Sequence, residues 1–232
     1  MKTYLTYDDV NIVPKFSEVL SRENVDLSTR FTKNTTLSVP IVSSPMDTVT
    51  EYKMASEMLD QGGVGVIHRF QSIEKQAKQM KRVWRQWDSW YDIGGDEDRT
   101  DHTRVFDEWY KGVRHWNSPP TKSDYEDLHE LLWFADEAER DEDYWSKRPL
   151  CAAIGTTGDY LERAQELVKN GCNVLLIDVA HGHHKLVGDA LEKIKKNISR
   201  IEIVAGNIAT REGAEFLLQS GADGIRVGIG NG

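Results

Sequence analysis

Short apolar runs recur along the chain, and each is followed by a stretch with helical spacing. The first is Ile41-Val42-Ser43-Ser44-Pro45-Met46-Asp47. Between Thr50 and Gln61, Met54, Ala55, Met58 and Leu59 then fall on one face of a helix that Gly62-Gly63 ends. Val64-Gly65-Val66-Ile67-His68 comes next, with a helix predicted over Ser72 to Val83 and Ser72 as its N-cap. The pattern resumes at Leu150-Cys151-Ala152-Ala153-Ile154-Gly155, with a helix from Asp159 to Asn170 stopped by Gly171. It continues through Val174 to Asp178 with a helix from Lys185 to Lys196, and through Ile201 to Asn207 with a helix from Arg211 to Ser220 before Gly221. The last run, Gly224 to Val227, leads into Gly228-Ile229-Gly230-Asn231-Gly232. Apart from one long gap, the runs start 23 to 27 residues apart. Apolar strands alternating with helices at that period predict βα units on a parallel sheet of six strands, an α/β fold.

Two regions fall outside the repeat. Residues 1–38 mix short apolar pieces with turn formers such as Pro14 and predict a lead-in packed on the main domain. The gap lies between the runs that begin at 64 and 150. Residues 84–148 carry all seven tryptophans and 18 acidic against 9 basic residues. This composition break places domain boundaries at 1–83, 84–148 and 149–232. Trp84, Trp87 and Trp90 at intervals of three, and a capping box at Ser123-Asp124-Tyr125-Glu126 after Pro119-Pro120, predict a helical insertion. Its tryptophans are expected to form its own core or its contact with the main domain; a partner-binding face is the alternative.

Composition narrows the function. The net charge is −9 with no Lys/Arg block, which argues against nucleic acid as a partner. No apolar run approaches the ~20 residues of a membrane span, and the N-terminus lacks an apolar signal core. Cys151 and Cys172 sit in or beside apolar strands, so a reducing, cytoplasmic compartment is expected, with both thiols as core residues rather than nucleophiles.

Candidate chemistry collects at the strand ends. Asp47, His68, Gly155, Asp178, Asn207 and Gly228 each close an apolar run. Carboxyl ends of parallel strands form the active face of a β/α barrel, and a carboxylate such as Asp178 after Val-Leu-Leu-Ile needs a partner or a ligand. His181-Gly182-His183-His184 contains imidazoles suited to zinc, yet nothing else in the sequence completes such a site. The terminal glycines allow a ligand or an ion to approach the backbone closely.

Several of these segments together resemble the IMP dehydrogenase / GMP reductase family: Leu5-Thr6-Tyr7-Asp8-Asp9-Val10, Ser43-Ser44-Pro45-Met46-Asp47-Thr48-Val49-Thr50-Glu51, Gly62 to His68, Asp178-Val179-Ala180-His181-Gly182-His183, Ala205-Gly206-Asn207 and Arg226-Val227-Gly228-Ile229-Gly230. The Ser-Ser-Pro-Met-Asp-Thr-Val-Thr-Glu string favours the IMP dehydrogenase branch. The resemblance implies a (β/α)8 TIM barrel, of which this sequence supplies about six of eight strands, interrupted by the helical insertion; without 84–148, 167 of the 232 residues remain.

The resemblance further implies an oxidoreductase that converts IMP and NAD to XMP and NADH, usually as a tetramer. GMP reductase with NADPH is the nearest alternative, and a non-catalytic nucleotide-binding or assembly fragment is another. By position, Asp178, Val179 and Ala180 would meet the dinucleotide ribose, and Gly228, Ile229 and Gly230 would line the nicotinamide. Ser44, Met46, Asn207 and Arg226 would surround the purine nucleotide. Gly230 and Gly232 would offer carbonyls to a potassium ion. The family's cysteine nucleophile, in a Ser-x-Cys-x-Thr segment, belongs beyond Gly232, so this polypeptide alone is expected to be inactive and to act with a C-terminal partner polypeptide. The insertion does not resemble the CBS modules frequent at this point, and Arg69 stands where a His or Lys is more usual.

Overall fold

The structure, a computed structural model, describes residues 7–91 and 148–229, with side chains from 8 to 84 and from 148 onward. Most of the predicted insertion, and Gly230 and Gly232, lie outside the described residues. The chain divides into two compact units, Met1–Trp84 with Ser146–Gly232, and Arg85–Trp145.

An antiparallel hairpin, β1 (Thr29–Arg30) and β2 (Thr36–Leu37), precedes the main sheet. That sheet has six parallel strands in sequence order: β3 (Val42–Ser43), β4 (Val64–Ile67), β5 (Cys151–Ile154), β6 (Val174–Asp178), β7 (Glu202–Ile208) and β8 (Gly224–Val227). Helices α1 (Tyr52–Asp60), α2 (Ile73–Tyr91), α3 (Tyr160–Lys169), α4 (Lys185–Asn197) and α5 (Arg211–Gln219) follow strands β3 to β7. Strictly sequential parallel order is the topology of a β/α barrel, and these six strands make an incomplete one.

Local chemistry explains the element ends. Ser72 Oγ accepts from the Lys75 amide (3.2 Å), and Thr210 Oγ1 from the Gly213 amide (3.1 Å). Gly62, Gly171 and Gly221, each just past a helix, have φ of 83°, 97° and 100°, the left-handed turn that glycine adopts without strain. Gly65 serves a different need, since a Cβ there would collide with the Ala55 backbone of α1.

Strands β4 to β7 are buried on both faces. Val64, Val66, Cys151, Ala153, Val174, Leu176 and Val204 form one cluster with Leu37, and Phe31 packs against it. The alternate residues Ile67, Ala152, Ile154, Leu175, Ile177 and Ile203 are also solvent-free, as expected for a parallel sheet. The amino end of this core is closed by the hairpin. The Glu202 carboxylate accepts from Thr32 Oγ1 (2.6 Å), Thr35 Oγ1 (2.6 Å) and the Asn34 amide (2.9 Å).

The lead-in does not pack as predicted. Among its described residues only the hairpin portion is buried, at Thr32, Thr35 and Leu37, whereas Ile12, Phe16 and Leu20 are more than 90% exposed. Several hydrogen bonds ahead of the hairpin are local, such as Asn24 N to Ser21 O and Ser28 N to Asp26 Oδ1. Among the described residues no ladder ties this stretch to the sheet, so apolar composition alone does not bury it. Helix α2 also runs past its expected end at Val83, because no Gly or Pro interrupts Trp84 to Tyr91. Trp84 is 8% exposed, and a Cβ at Gly171 would lie 3.0 Å from its ring. Among the described residues, no helix is long and apolar enough to cross a membrane.

Candidate functional site

The carboxyl ends of β4 to β8 present the polar residues that the apolar patterning singled out. Asp178 ends β6, and its Oδ1 accepts from Arg226 Nη1 of β8 at 2.7 Å. Both side chains are partly exposed, 22% for Asp178 and 31% for Arg226, so the pair remains open to solvent and to ligands. Between them lies β7, whose Gly206 is in register with Asp178 on one side and Arg226 on the other.

The loop after Asp178 is fastened to the end of β7. Val179 N donates to Gly206 O (3.0 Å), Asn207 N to Val179 O (2.8 Å) and Gly182 N to Asn207 O (2.7 Å). Gly182 must be small, since a Cβ would sit 2.9 Å from that carbonyl oxygen. The Asn207 side chain is fixed from the other direction, with Nδ2 donating to Gly228 O at 2.9 Å. Its Oδ1 is buried and has no hydrogen-bond partner among the described residues. A buried amide oxygen without a donor costs about 1–3 kcal/mol, and a ligand amide or hydroxyl would remove that cost. The Gly206–Asn207 peptide is cis.

Met46, Asp178, Val179, Ala180, Asn207 and Arg226 therefore converge on one cavity of about 330 Å³, which Pro45, Arg69 and Phe70 complete. Ser44 lines a neighbouring cavity of about 370 Å³ that reaches the apolar core and shares Arg226. Gly228 is held at the rim through Asn207, and Ile229 is exposed. Asp47 is exposed and lines none of these cavities.

The histidine cluster does not converge on one point, although the His181 and His184 rings meet edge to face at 6.3 Å. His184 Nδ1 accepts from the Leu186 amide and caps α4, while the His183 ring packs on Phe216 at 5.2 Å. Among the described residues, no three metal-ligating side chains come together. His68, just past the end of β4, is buried. Its Nδ1 accepts from the Phe70 amide (3.2 Å), so in the neutral ring Nε2 carries the proton, 3.6 Å from Glu51 Oε1. Burial on its own raises the Glu51 carboxyl, but Lys75, Gln79 and His68 together hold it below the ordinary carboxylate range.

Sequence patterning did not reveal the support under this rim. Gln76, fully buried on α2, donates to the carbonyls of Ile67 (3.2 Å) and Ala153 (2.8 Å), where β4 and β5 end. Arg163 of α3 donates to Gln76 Oε1 (2.8 Å) and Gln71 O (3.1 Å) and pairs with Asp159 (2.8 Å). Both thiols lie far from this chemistry in character. Burial raises Cys151 well above its ordinary value and Cys172 from 9.0 to about 12, so neither supplies a thiolate near neutral pH.

The domain shared by IMP dehydrogenases and GMP reductases matches residues 4–232. An inosine-5'-monophosphate dehydrogenase from Nitrosopumilus maritimus is 33% identical to the whole chain, which covers 62% of that protein. Those from Aquifex aeolicus and Borreliella burgdorferi are 31% and 37% identical, again over the whole chain, with 61% and 54% of their own lengths covered. The chain thus spans about half to three-fifths of the curated relatives it matches.

Proposed function

Since the chain belongs to the IMP dehydrogenase / GMP reductase family, we propose that it supplies the nucleotide-binding portion of an IMP dehydrogenase-type oxidoreductase. The observation that carries this reading is the 330 Å³ cavity, which the Asp178–Arg226 ion pair, the Val179-Ala180 loop and Asn207 line together. Those groups suit NAD: a carboxylate for ribose hydroxyls, an amide oxygen for the nicotinamide carboxamide, and apolar contacts from Met46 and Val179. When bound, NAD would accept the hydride released from C2 of IMP.

The chain's residues then have distinct duties. Asp178 would hold the ribose and orient Arg226 beside it, and Ala180 would form the wall next to it. Asn207 would fix the plane of the carboxamide, with Gly228, Ile229 and Gly230 against its edge. Ser44 and Met46 would flank the purine. Backbone carbonyls of Gly230 and Gly232 would serve a potassium ion.

Bond making at C2 needs a thiolate, and the two buried cysteines do not provide one. We therefore assign the nucleophile to further polypeptide, continuous with this chain or separate, that also pairs with the β3 and β8 edges. A tetramer of the completed barrel and a cytoplasmic setting accord with this reading. The test is NADH absorbance with IMP and potassium, for the 232-residue chain alone and mixed with a polypeptide carrying a Ser-x-Cys-x-Thr loop and two barrel strands. Turnover is expected only in the mixture. IMP-dependent turnover by the chain alone defeats the assignment of the nucleophile, and GMP-dependent NADPH oxidation in the mixture moves the reading to GMP reductase.

A further inference from the structure

We propose that Thr50 is a positioning residue for the purine nucleotide: its hydroxyl sets the Ser43-Ser44 strand end against the ligand without touching the ligand itself. Thr50 closes the turn between β3 and α1 and is 0% exposed. It lines neither the 370 Å³ cavity, which Ser43 and Ser44 border, nor the 330 Å³ cavity that Met46 borders.

Its hydrogen bonds nevertheless reach all three of those residues. Thr50 Oγ1 donates its one proton to Ser44 O at 2.6 Å. The 2.8 Å bond between Thr50 Oγ1 and Ser43 Oγ is therefore donated by Ser43. The Thr50 amide donates to Met46 O (3.0 Å), and Thr50 O accepts from the His68 amide just past β4 (3.3 Å). Ser44 O also receives the Met46 amide at 2.8 Å. The backbone thus hangs the turn from β4 and holds Met46, while the hydroxyl adds the link to both serines. The end of β3 needs that link. The strand is two residues long and stands at the edge of the six-stranded sheet, with β4 as its ladder partner. A buried hydroxyl whose donor and acceptor are both used is locked in one rotamer, and it locks its partners in turn.

The placement of these bonds predicts selectivity. Thr50→Val keeps the shape and every backbone bond, so Met46 stays in place. Ser44 O loses one donor and Ser43 Oγ loses its acceptor. The damage should fall on a ligand beside Ser44 and spare one beside Asp178. This inference rests on the reading above, in which Ser44 flanks the purine of IMP and Asp178 holds the dinucleotide.

Titration calorimetry with IMP and with NAD tests it, on the 232-residue chain alone and in the mixture that completes the barrel. Circular dichroism and the melting temperature check folding. Thr50→Val should weaken IMP about tenfold and NAD less than about threefold, the size of one lost hydrogen bond felt on one side only. Thr50→Ser, which keeps the hydroxyl, should restore IMP affinity. If Thr50→Val does not fold, Ser43→Ala removes the same bond from its donor side and should weaken IMP about threefold. IMP affinity that ignores both substitutions overturns the proposal. Equal losses for IMP and NAD with a lower melting temperature also overturn it, since Thr50 is then a structural residue. Failure of wild type to bind IMP in either form overturns it outright. IMP binding that depends on Thr50, in a mixture without turnover, supports the positioning role and removes the oxidoreductase reading.

Discussion

The two ends of the parallel sheet are built from the same strands but solve opposite problems. At the amino end, polar groups are paired. Glu202 takes three donors from the hairpin, Asp223 accepts from both Lys195 (2.5 Å) and the Ile203 amide (2.8 Å), and Asn173 Oδ1 accepts from the Leu150 amide (2.8 Å). At the carboxyl end, Asn207 Oδ1 and Arg69 Nε are buried without a partner among the described residues, and the Asp178–Arg226 pair stands open to solvent. Satisfied polar groups hold a fold together, whereas unsatisfied ones at a cavity represent binding energy kept for a ligand. The difference teaches where stability and recognition reside, and it can be broken residue by residue.

The largest effect is expected at Glu202. Removing its carboxylate strands two threonine hydroxyls and an amide at the hairpin. Glu202→Ala should cost about 3 kcal/mol of stability, less than three separate charged hydrogen bonds because the site is only partly buried. The urea midpoint measures it, and nucleotide affinity of the folded fraction should not change. An unchanged midpoint would show that the hairpin is not a structural plug.

Gln76 sharpens the comparison, because it lies near the carboxyl end yet is fully engaged. Gln76→Leu keeps the volume but leaves the Ile67 and Ala153 carbonyls and the Arg163 Nη1 donor short of partners. A loss of about 2 kcal/mol is expected. If the midpoint does not move, the glutamine network is incidental to stability.

Asp178 should behave in the reverse way. Asp178→Asn retains shape and loses the charge that holds Arg226. The pair is partly exposed, so its stability share should be under about 1 kcal/mol. NAD affinity should fall about tenfold, ~1.4 kcal/mol. A large drop in melting temperature with unchanged affinity would place Asp178 among the structural residues of the other end.

Strands were legible in the sequence because burial on both faces demands unbroken runs such as Val174 to Ile177, and helix ends because Ser72 and the three left-handed glycines have few other uses. Asp178 and Asn207 were legible as polar residues closing apolar runs. Other features left no such trace. Gln76 looks like an exposed helix position, and only the adjacent strand-end carbonyls explain its burial. Thr50 lies in a turn with no periodicity, so its grip on Ser43 and Ser44 depends on how that turn closes, and Arg69 stood out only as a departure from the family pattern. The lead-in misled in the opposite sense, since Ile12, Phe16 and Leu20 are apolar yet exposed. Trp84 belongs by composition to the insertion, but Gly171 gives it a place in the core.

The smallest expected effect concerns the two thiols, which lie where β5 begins and just before β6 begins, toward the closed end. Burial is the main cause that raises both, Cys172 from 9.0 to about 12. A group whose pKa is raised by folding contributes stability that is complete below its unfolded value and lost as pH climbs toward its folded one. The window here opens near pH 9 and extends toward 12. At pH 9.5 each thiol should already have forfeited a little under ~1 kcal/mol, since one unit of difference is worth 1.36 kcal/mol. Wild-type stability measured from pH 8 to 10 should thus fall more steeply than that of Cys172→Ala, whichever is more stable at pH 8. A thiol-specific reagent should leave both cysteines unlabelled at pH 8 until denaturant is added. Equal pH slopes, or rapid labelling of the folded chain, would mean that the closed end admits water and that the contrast between the two ends is weaker than their hydrogen bonding implies.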